Sequence, residues 1–284
     1  MPELPEVETV RQILRNEVIG KTIQKIEIYK SEDETKKRVS LIKEMSEGEF
    51  INSLVGKTIQ EIERKGMTGK YFVEEKLFTP EQKKLFNKHN SEGARVLTFY
   101  LKDAQGSIKL IYCDARRFGS LRLQKFEDYK KIEPYQNIGT DLLEETVNTR
   151  LLFEHYQKRK VPIKNALLEQ NTISGIGNIY ASEILFDTKI HPFKKTNQIT
   201  ELEVKNIVSS AQSTLREALK LEGTSEFDFV NPLSKEGSYQ NKLKVYNRKG
   251  KSCNNGCGSL IENLAENKQK KERSTFFCPR CQKI

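Results

Sequence analysis

Tryptophan is absent from the 284 residues, histidine occurs three times and cysteine five times. Five cysteines, four of them crowded at the C-terminus, are too few and too clustered for a disulfide framework. They read instead as a metal site in a reducing compartment. No apolar run reaches the roughly 20 residues of a membrane-spanning helix. No basic-then-apolar leader follows Met1. A cytoplasmic protein without a membrane partner is therefore expected. Acidic residues are in the minority, 39 Asp and Glu against 49 Lys and Arg, a net charge of +10. The excess points to an anionic partner, nucleic acid first and a membrane surface second. It is also localised: from Lys242 onward eleven Lys and Arg stand against three Glu.

The chain is long enough to bury a core without covalent staples. Val7, Val10 and Leu14 recur at helical spacing behind Pro5, which suits a first helical turn because it has no N–H to lose. Ile19-Gly20-Lys21-Thr22-Ile23-Gln24 recurs as Val55-Gly56-Lys57-Thr58-Ile59-Gln60, in each case a glycine turn entering an alternating strand. Further strands are expected at Ala94–Leu101, Ile108–Cys113 and Gly119–Leu123, and a polar loop at Lys76–Gly93. Helical spacing then takes over at Thr146–Lys158, Ile163–Gln170, Ile179–Phe186 and Thr200–Leu221. Gly223–Gln240, rich in Gly, Ser, Asn and Pro, reads as a long loop. The expected architecture is α+β. A β domain with an N-terminal helix spans 1–130, a helical domain spans 131–241, and a cysteine module spans 242–284.

Cys253-x3-Cys257 and Cys278-x2-Cys281 form two close pairs, the pattern of a closed, tetrahedral, structural zinc site. Four thiolates leave no open position, so the metal holds a hairpin and does no chemistry. Arg273 leads into Cys278, and Lys268, Lys270 and Lys271 lie just before it. A rigid hairpin tipped with Arg and Lys suits phosphate. Cys113 stands alone beside a strand and reads as a small buried residue.

Met1-Pro2-Glu3-Leu4-Pro5-Glu6-Val7-Glu8-Thr9, Gln170-Asn171-Thr172-Ile173-Ser174-Gly175-Ile176-Gly177-Asn178-Ile179-Tyr180-Ala181 and Asp114-Ala115-Arg116-Arg117-Phe118-Gly119 together resemble the formamidopyrimidine-DNA glycosylase family over nearly the whole chain. The resemblance implies a β-sandwich, a helix–two-turn–helix domain and a four-cysteine zinc finger. It implies action on double-stranded DNA with oxidised bases or abasic sites; nothing in the sequence points to an oligomer, and a monomer is expected. It makes Pro2 the nucleophile once Met1 is removed, Glu3 an acid/base carboxylate, Glu6 a second carboxylate nearby, and Arg273 an aid to elimination. Contacts to DNA fall to His89, Arg116, Arg117, Lys160 and Asn178, with Met67 and Phe118 wedged where a base leaves the stack. His155 and His191 remain structural. Residue types agree with these roles. An α-amino group near pKa 8 is partly neutral at pH 7 and nucleophilic. Free N–H groups at the helix that starts with Asn178 favour a phosphate, and the glycines before it permit close approach.

The pattern breaks between Arg64 and Lys70. Gly69-Lys70-Tyr71 matches a turn carrying a catalytic lysine, in which case a methionine loop is missing. Alternatively Gly66-Met67-Thr68-Gly69-Lys70 is the methionine loop, and the lysine turn with its strand is deleted. The second alignment is preferred because it keeps Met67 in the wedge, and Lys70 is then a substitute cation. The first cysteine pair is also one residue wider than the family's. Other readings are an endonuclease VIII-like enzyme for oxidised pyrimidines, a non-catalytic binder of damaged DNA, and a zinc-ribbon RNA-binding protein.

Overall fold

Helix α1 (Leu4–Val18) presents Val10, Leu14 and Val18 along one stripe, and strand β1 (Thr22–Ile28) places Ile23 and Ile26 beside it. In the computed structural model, residues 2–30, 41–64, 69–74, 78–90, 94–125, 127–128, 131, 135–144, 146–226, 229–264 and 273–284 are described. They divide into two compact units. The first contains Met1–Pro2, Glu6–Ile132 and Glu222–Gly237; the second contains Glu3–Pro5, Glu133–Leu221 and Ser238–Ile284.

The first unit is built on a four-stranded antiparallel sheet in the order β1-β3-β4-β2, with β2 at Lys70–Glu74, β3 at Arg95–Lys102 and β4 at Ser107–Cys113. One face carries Ile26, Leu101, Leu110 and Val73 against α1 and α2 (Glu47–Leu54). Extended pieces around Ile42, Ile59 and Leu121 complete that layer, joined by single bridges Ile42–Leu121 and Thr22–Thr58. The two similar segments of sequence pair with each other. Gly20 N–H donates to Ile59 O and Gly56 N–H to Ile23 O, and both glycines sit at positive φ, near 80°. The second copy makes a ladder too short to form a strand, and Gly119–Leu123 likewise keeps only its bridge at Leu121.

Lys76–Gly93 departs from the expected loop. It contains α3 (Pro80–His89), started by a reciprocal cap in which Thr79 Oγ1 accepts from Gln82 N–H while Gln82 Oε1 accepts from Thr79 N–H. The Thr-Pro-x-Gln signal was legible, but the charged composition masked it. Phe86 of α3 meets Phe72 edge-on, with centroids 5.6 Å apart, and covers the other sheet face with Phe78 and Ile111. Cys113 lies in the same cluster, where burial pushes its thiol up to about 12. It is an inert packing residue, as expected.

Glu222–Gly237, expected as a loop of the helical half, packs in the first unit. Val73 N–H on edge strand β2 donates to Pro232 O at 2.9 Å. Val230 enters the Phe72 cluster, and Asn231, 1% exposed, ties the strap to itself through Glu222, Leu233 and Lys235.

The second unit is helical: α4 (Thr149–Gln157), α5 (Ile163–Leu167), α6 (Asn178–Asp187) and α7 (Glu201–Lys220), all close to their expected spans. Helix α7 begins with a reciprocal Thr200–Glu203 cap and buries Val204, Ile207, Val208, Ala211, Leu215 and Ala218 at helical spacing. Short strands β5 (Thr140–Asp141) and β6 (Ile173–Ser174) pair in parallel. Strands β7 (Glu262–Leu264) and β8 (Thr275–Phe277) form the hairpin of the cysteine module. The α+β class expected from the sequence is the class observed. No helix among the described residues is long and apolar enough to cross a membrane.

A buried ion cluster on α1 was not anticipated. Glu8, 3% exposed, accepts from Arg11 at 2.7 Å and from Gln12 at 2.9 Å, and pairs with Arg64 at 3.0 Å. Burial alone would raise the carboxyl pKa; Arg11, Gln12 and Arg64 outweigh it and hold the value below the ordinary 4.5. Arg64→Met leaves the buried carboxylate with Arg11 and Gln12 only, and is expected to cost about 1–3 kcal/mol in urea unfolding near neutral pH. Because the folded value is depressed, the Glu8 contribution is complete above the unfolded value and disappears as pH falls through the folded one. The penalty should accordingly shrink in acid; a penalty independent of pH would contradict this assignment.

Candidate active site

The second unit includes Glu3–Pro5. Glu3 Oε2 accepts from Gly177 N–H at 2.9 Å and Tyr180 N–H at 3.3 Å, and Oε1 accepts from Ile179 N–H at 3.0 Å. A carboxylate here satisfies amides that α6 cannot pair internally and faces the positive end of its dipole. The geometry demands glycine. A Cβ on Gly177 would lie 2.3 Å from Glu3 Cδ, and one on Gly175, at φ 94°, would lie 2.2 Å from Leu4 Cδ1. Leu4 N–H also donates to Gly175 O at 3.0 Å. This corrects the expectation of free N–H groups for a phosphate: three are taken by Glu3, and the glycines admit the chain's own N-terminus.

Asn178 turns its amide to the cysteine module, donating from Nδ2 to Ser274 O at 3.1 Å. Lys164, 3% exposed, donates from Nζ to the same oxygen at 2.6 Å and to Thr275 Oγ1 at 2.9 Å. Two side chains thus grip the residue after Arg273, which is itself exposed. Glu183, 1% exposed, holds the approach to the module by accepting from the N–H groups of Lys244, Val245 and Tyr246 at 2.7, 3.0 and 2.8 Å. Burial raises its pKa despite these bonds. Lys164 and Glu183 were not singled out from the sequence. A lone Lys or Glu in a helix reads as solvated, and only the fold reveals its backbone partners.

The ligand atoms of Cys253, Cys257, Cys278 and Cys281 lie within 4.8 Å of one another. The closest pairs, Cys257–Cys278 and Cys253–Cys281, have sulfurs 3.5 and 3.8 Å apart. Four thiolates at about 2.3 Å from one tetrahedral ion stand roughly 3.8 Å apart, so the set fits a metal ion. Gly256 and Gly258, at φ 64° and 76°, flank Cys257 in the turn that brings it towards Cys253. Lys268, Lys270 and Lys271 lie outside the described residues.

In the first unit, Asp114, 4% exposed, organises the loop after β4. Its carboxylate accepts from the N–H groups of Arg116, Arg117 and Gly119 at 3.2, 3.0 and 2.8 Å. The loop lifts Phe118 to 72% exposure, with the Arg116 guanidinium 5.0 Å over its ring. A phenylalanine so exposed and so rigidly based is available to intercalate. Arg117, expected at a phosphate, sits at φ 54° and donates from Nη2 to Tyr29 O and Arg95 O, so it braces the loop. Glu6, 2% exposed, accepts from Thr224 N–H at 2.7 Å. Lys70 opens β2, and its Nζ meets His89 Nδ1 at 2.9 Å. Lys160 is exposed beyond α4, and Pro2 is half-buried. His191 is packed edge-on against Phe277. Met67 lies outside the described residues.

A turn of this kind, closed over a carboxylate and feeding two helices, places the second unit in the helix–two-turn–helix class. The family model described as "Formamidopyrimidine-DNA glycosylase H2TH domain" matches residues 138–229, and "Formamidopyrimidine-DNA glycosylase N-terminal domain" matches residues 1–121. The Formamidopyrimidine-DNA glycosylase of Mycoplasma mobile is 35% identical over 296 residues, spanning 100% of both chains. The Lactococcus lactis Fpg, solved in complex with abasic-site-containing DNA, superposes with a TM-score of 0.79 at 32% identity over 99% of this chain and 100% of that one. A mutant of the same protein, solved with Fapy-dG-containing DNA, gives 0.80 at 32% identity over 100% of both chains. The chain belongs to the formamidopyrimidine-DNA glycosylase family.

Gly177→Ala probes the closed turn. The added methyl must displace the Glu3 carboxylate, at an expected cost of about 1–3 kcal/mol. A lower thermal midpoint together with faster amide exchange in the first turn of α6 is the expected result. Unchanged exchange there would show that Glu3 does not hold the helix.

Proposed function

We propose that this chain removes oxidised purines from double-stranded DNA and cuts the strand at the resulting abasic site. The observation that carries this reading is the end-to-end likeness to glycosylases solved on abasic and Fapy-dG DNA. With Met1 removed, Pro2 is a secondary amine with a pKa near 8. Its lone pair attacks the sugar C1′ and the bond to the base breaks; the C1′–O4′ bond then opens, O4′ takes up a proton, and a cationic imine links C1′ to the Pro2 nitrogen. The imine acidifies the C2′ proton, whose loss expels the 3′ phosphate.

Glu3, next in the chain, is the carboxylate proposed to move protons at the opening sugar. Its oxygens are already oriented by three N–H donors, so it needs little reorganisation on binding. Phe118 and Met67 fill the stack left by the extruded base, and Arg116 hydrogen-bonds the orphaned partner. Lys160, Asn178, His89 and Arg273 contact phosphate. The metal is structural zinc, whose chemistry is confined to fixing the hairpin that carries Arg273. Glu6 holds Thr224 and through it the strap. Preference for the purine class over the pyrimidine class of endonuclease VIII-like relatives rests on Leu4 and the Arg-Arg-Phe loop.

Two experiments test this reading. Borohydride should trap a covalent adduct on abasic DNA, located at residue 2 by mass spectrometry, and an uncleaved N-terminal extension should block it. Glu3→Gln should slow base excision more than cleavage of a preformed abasic site, which has no base left to expel. Absence of an adduct under conditions where DNA is bound would leave only a damage-binding protein.

For the metal, freshly purified protein should contain one zinc. Chelation or Cys278→Ser should abolish tight DNA binding by releasing the hairpin. Arg273→Ala should weaken binding to damaged and undamaged duplexes alike and flatten the salt dependence by about one log–log unit. Metal-free protein that binds DNA normally would refute the structural role.

A further inference from the structure

The contact between Lys70 Nζ and His89 Nδ1, 2.9 Å, joins the first residue of β2 to the last of α3. Its chemistry runs one way. An ammonium offers three donors and no acceptor. It therefore needs the bare lone pair of Nδ1, and a neutral imidazole that presents that lone pair carries its proton on Nε2. The backbone beneath the ring is fixed separately. Asn90 N–H donates to Phe86 O at 2.8 Å, and its Oδ1 accepts from Arg95 Nε at 3.0 Å and from the Cys113 thiol at 3.4 Å. Sheet register sets both Lys70 and Arg95 opposite Cys113, at the end of the sheet from which the Asp114–Gly119 loop departs. The nearby carboxylate of Asp114 is engaged by three loop N–H groups. Ring orientation is thus set from β2, and ring position from β3 and β4.

We propose that Lys70 is a positioning residue. It locks His89 in the Nε2–H tautomer and aims that N–H as a neutral donor at a DNA phosphate oxygen, with the ammonium charge behind the ring. This rests on the DNA-processing reading above and gives Lys70 a task other than proton donor at the reacting sugar. It also accounts for a lysine at the start of an edge strand, where the preferred alignment leaves it without the catalytic turn.

Long-range proton–nitrogen correlation on labelled, DNA-free protein near pH 7.5 reads the tautomer directly, with His89→Ala supplying the assignment. The wild type should show His89 with a bare Nδ1. Lys70→Met should give a tautomer mixture, and Lys70→Gln, whose amide can donate, should restore the single form. A His89 protonated at Nδ1 in the wild type overturns the proposal. Binding to a duplex with a tetrahydrofuran abasic analogue gives the second readout. Lys70→Met and His89→Ala should each raise Kd about tenfold, and the double variant by about the same tenfold, because the two side chains act through one contact. A hundredfold loss in the double variant overturns the proposal. So does a Lys70→Met loss carried by the excision rate at saturating DNA while Kd is unchanged. Failure of the wild type to trap abasic DNA would count against the glycosylase reading and leave the tautomer measurement intact.

Discussion

The carboxylate of Glu3 accepts hydrogen bonds from three amides at the start of α6, and the helical unit is organised around that anion. A helix N-terminus needs acceptors, and here the acceptor arrives from a residue 174 positions earlier in the chain. Both glycines of the turn exist to admit it: a methyl on either would overlap Glu3 or Leu4 by more than an ångström of ordinary contact distance. Placement of residue 3 limits the freedom of residue 2, because one peptide unit separates them. In the mechanism proposed above, in which the Pro2 amine attacks, anchoring the adjacent carboxylate restricts that amine without engaging its own atoms.

The same unit uses two further buried charges in the same way. Lys164 binds the Ser274 carbonyl and the Thr275 hydroxyl, and Glu183 binds three successive amides from Lys244 to Tyr246. Each satisfies backbone groups that belong to no regular ladder, which is how irregular chain can be buried without loss. The result is a cysteine module gripped at both its entrance and its hairpin base. The four cysteine sulfurs, gathered within 4.8 Å of one another, lie beyond that hairpin base, so the exposed Arg273 stands next to chain held by two side chains, Lys164 and Asn178.

In the first unit the constraint is packing. Phe72, Ile111 and Phe86 leave no exposed surface of consequence, and the strap Glu222–Gly237 contributes Val230 to that cluster and Pro232 to the edge of β2. An edge strand presents unpaired N–H groups. The break in the family pattern falls immediately before this strand, and the strap covers part of the edge that remains.

Local chemistry was legible without the fold. Helical spacing located α1, α4, α6 and α7, because burial on one side of a helix writes its period into the residues. The cysteine spacing announced a tetrahedral set, because two short loops are the simplest way to bring four sulfurs to one point. Helix α3 shows in the chain only through its Thr79–Gln82 cap, inside a segment whose charged composition otherwise reads as loop. What only the tertiary structure decided is the partner of each charged group. Glu3 at the amides of α6, Arg117 at two backbone carbonyls, Glu8 with Arg64, Lys70 against His89 and the strap on the β unit are all pairings of residues distant in sequence. A residue's type limits which bonds it can make, but the choice among partners of equal chemistry is made by which backbone groups the folded chain leaves unsatisfied and within reach.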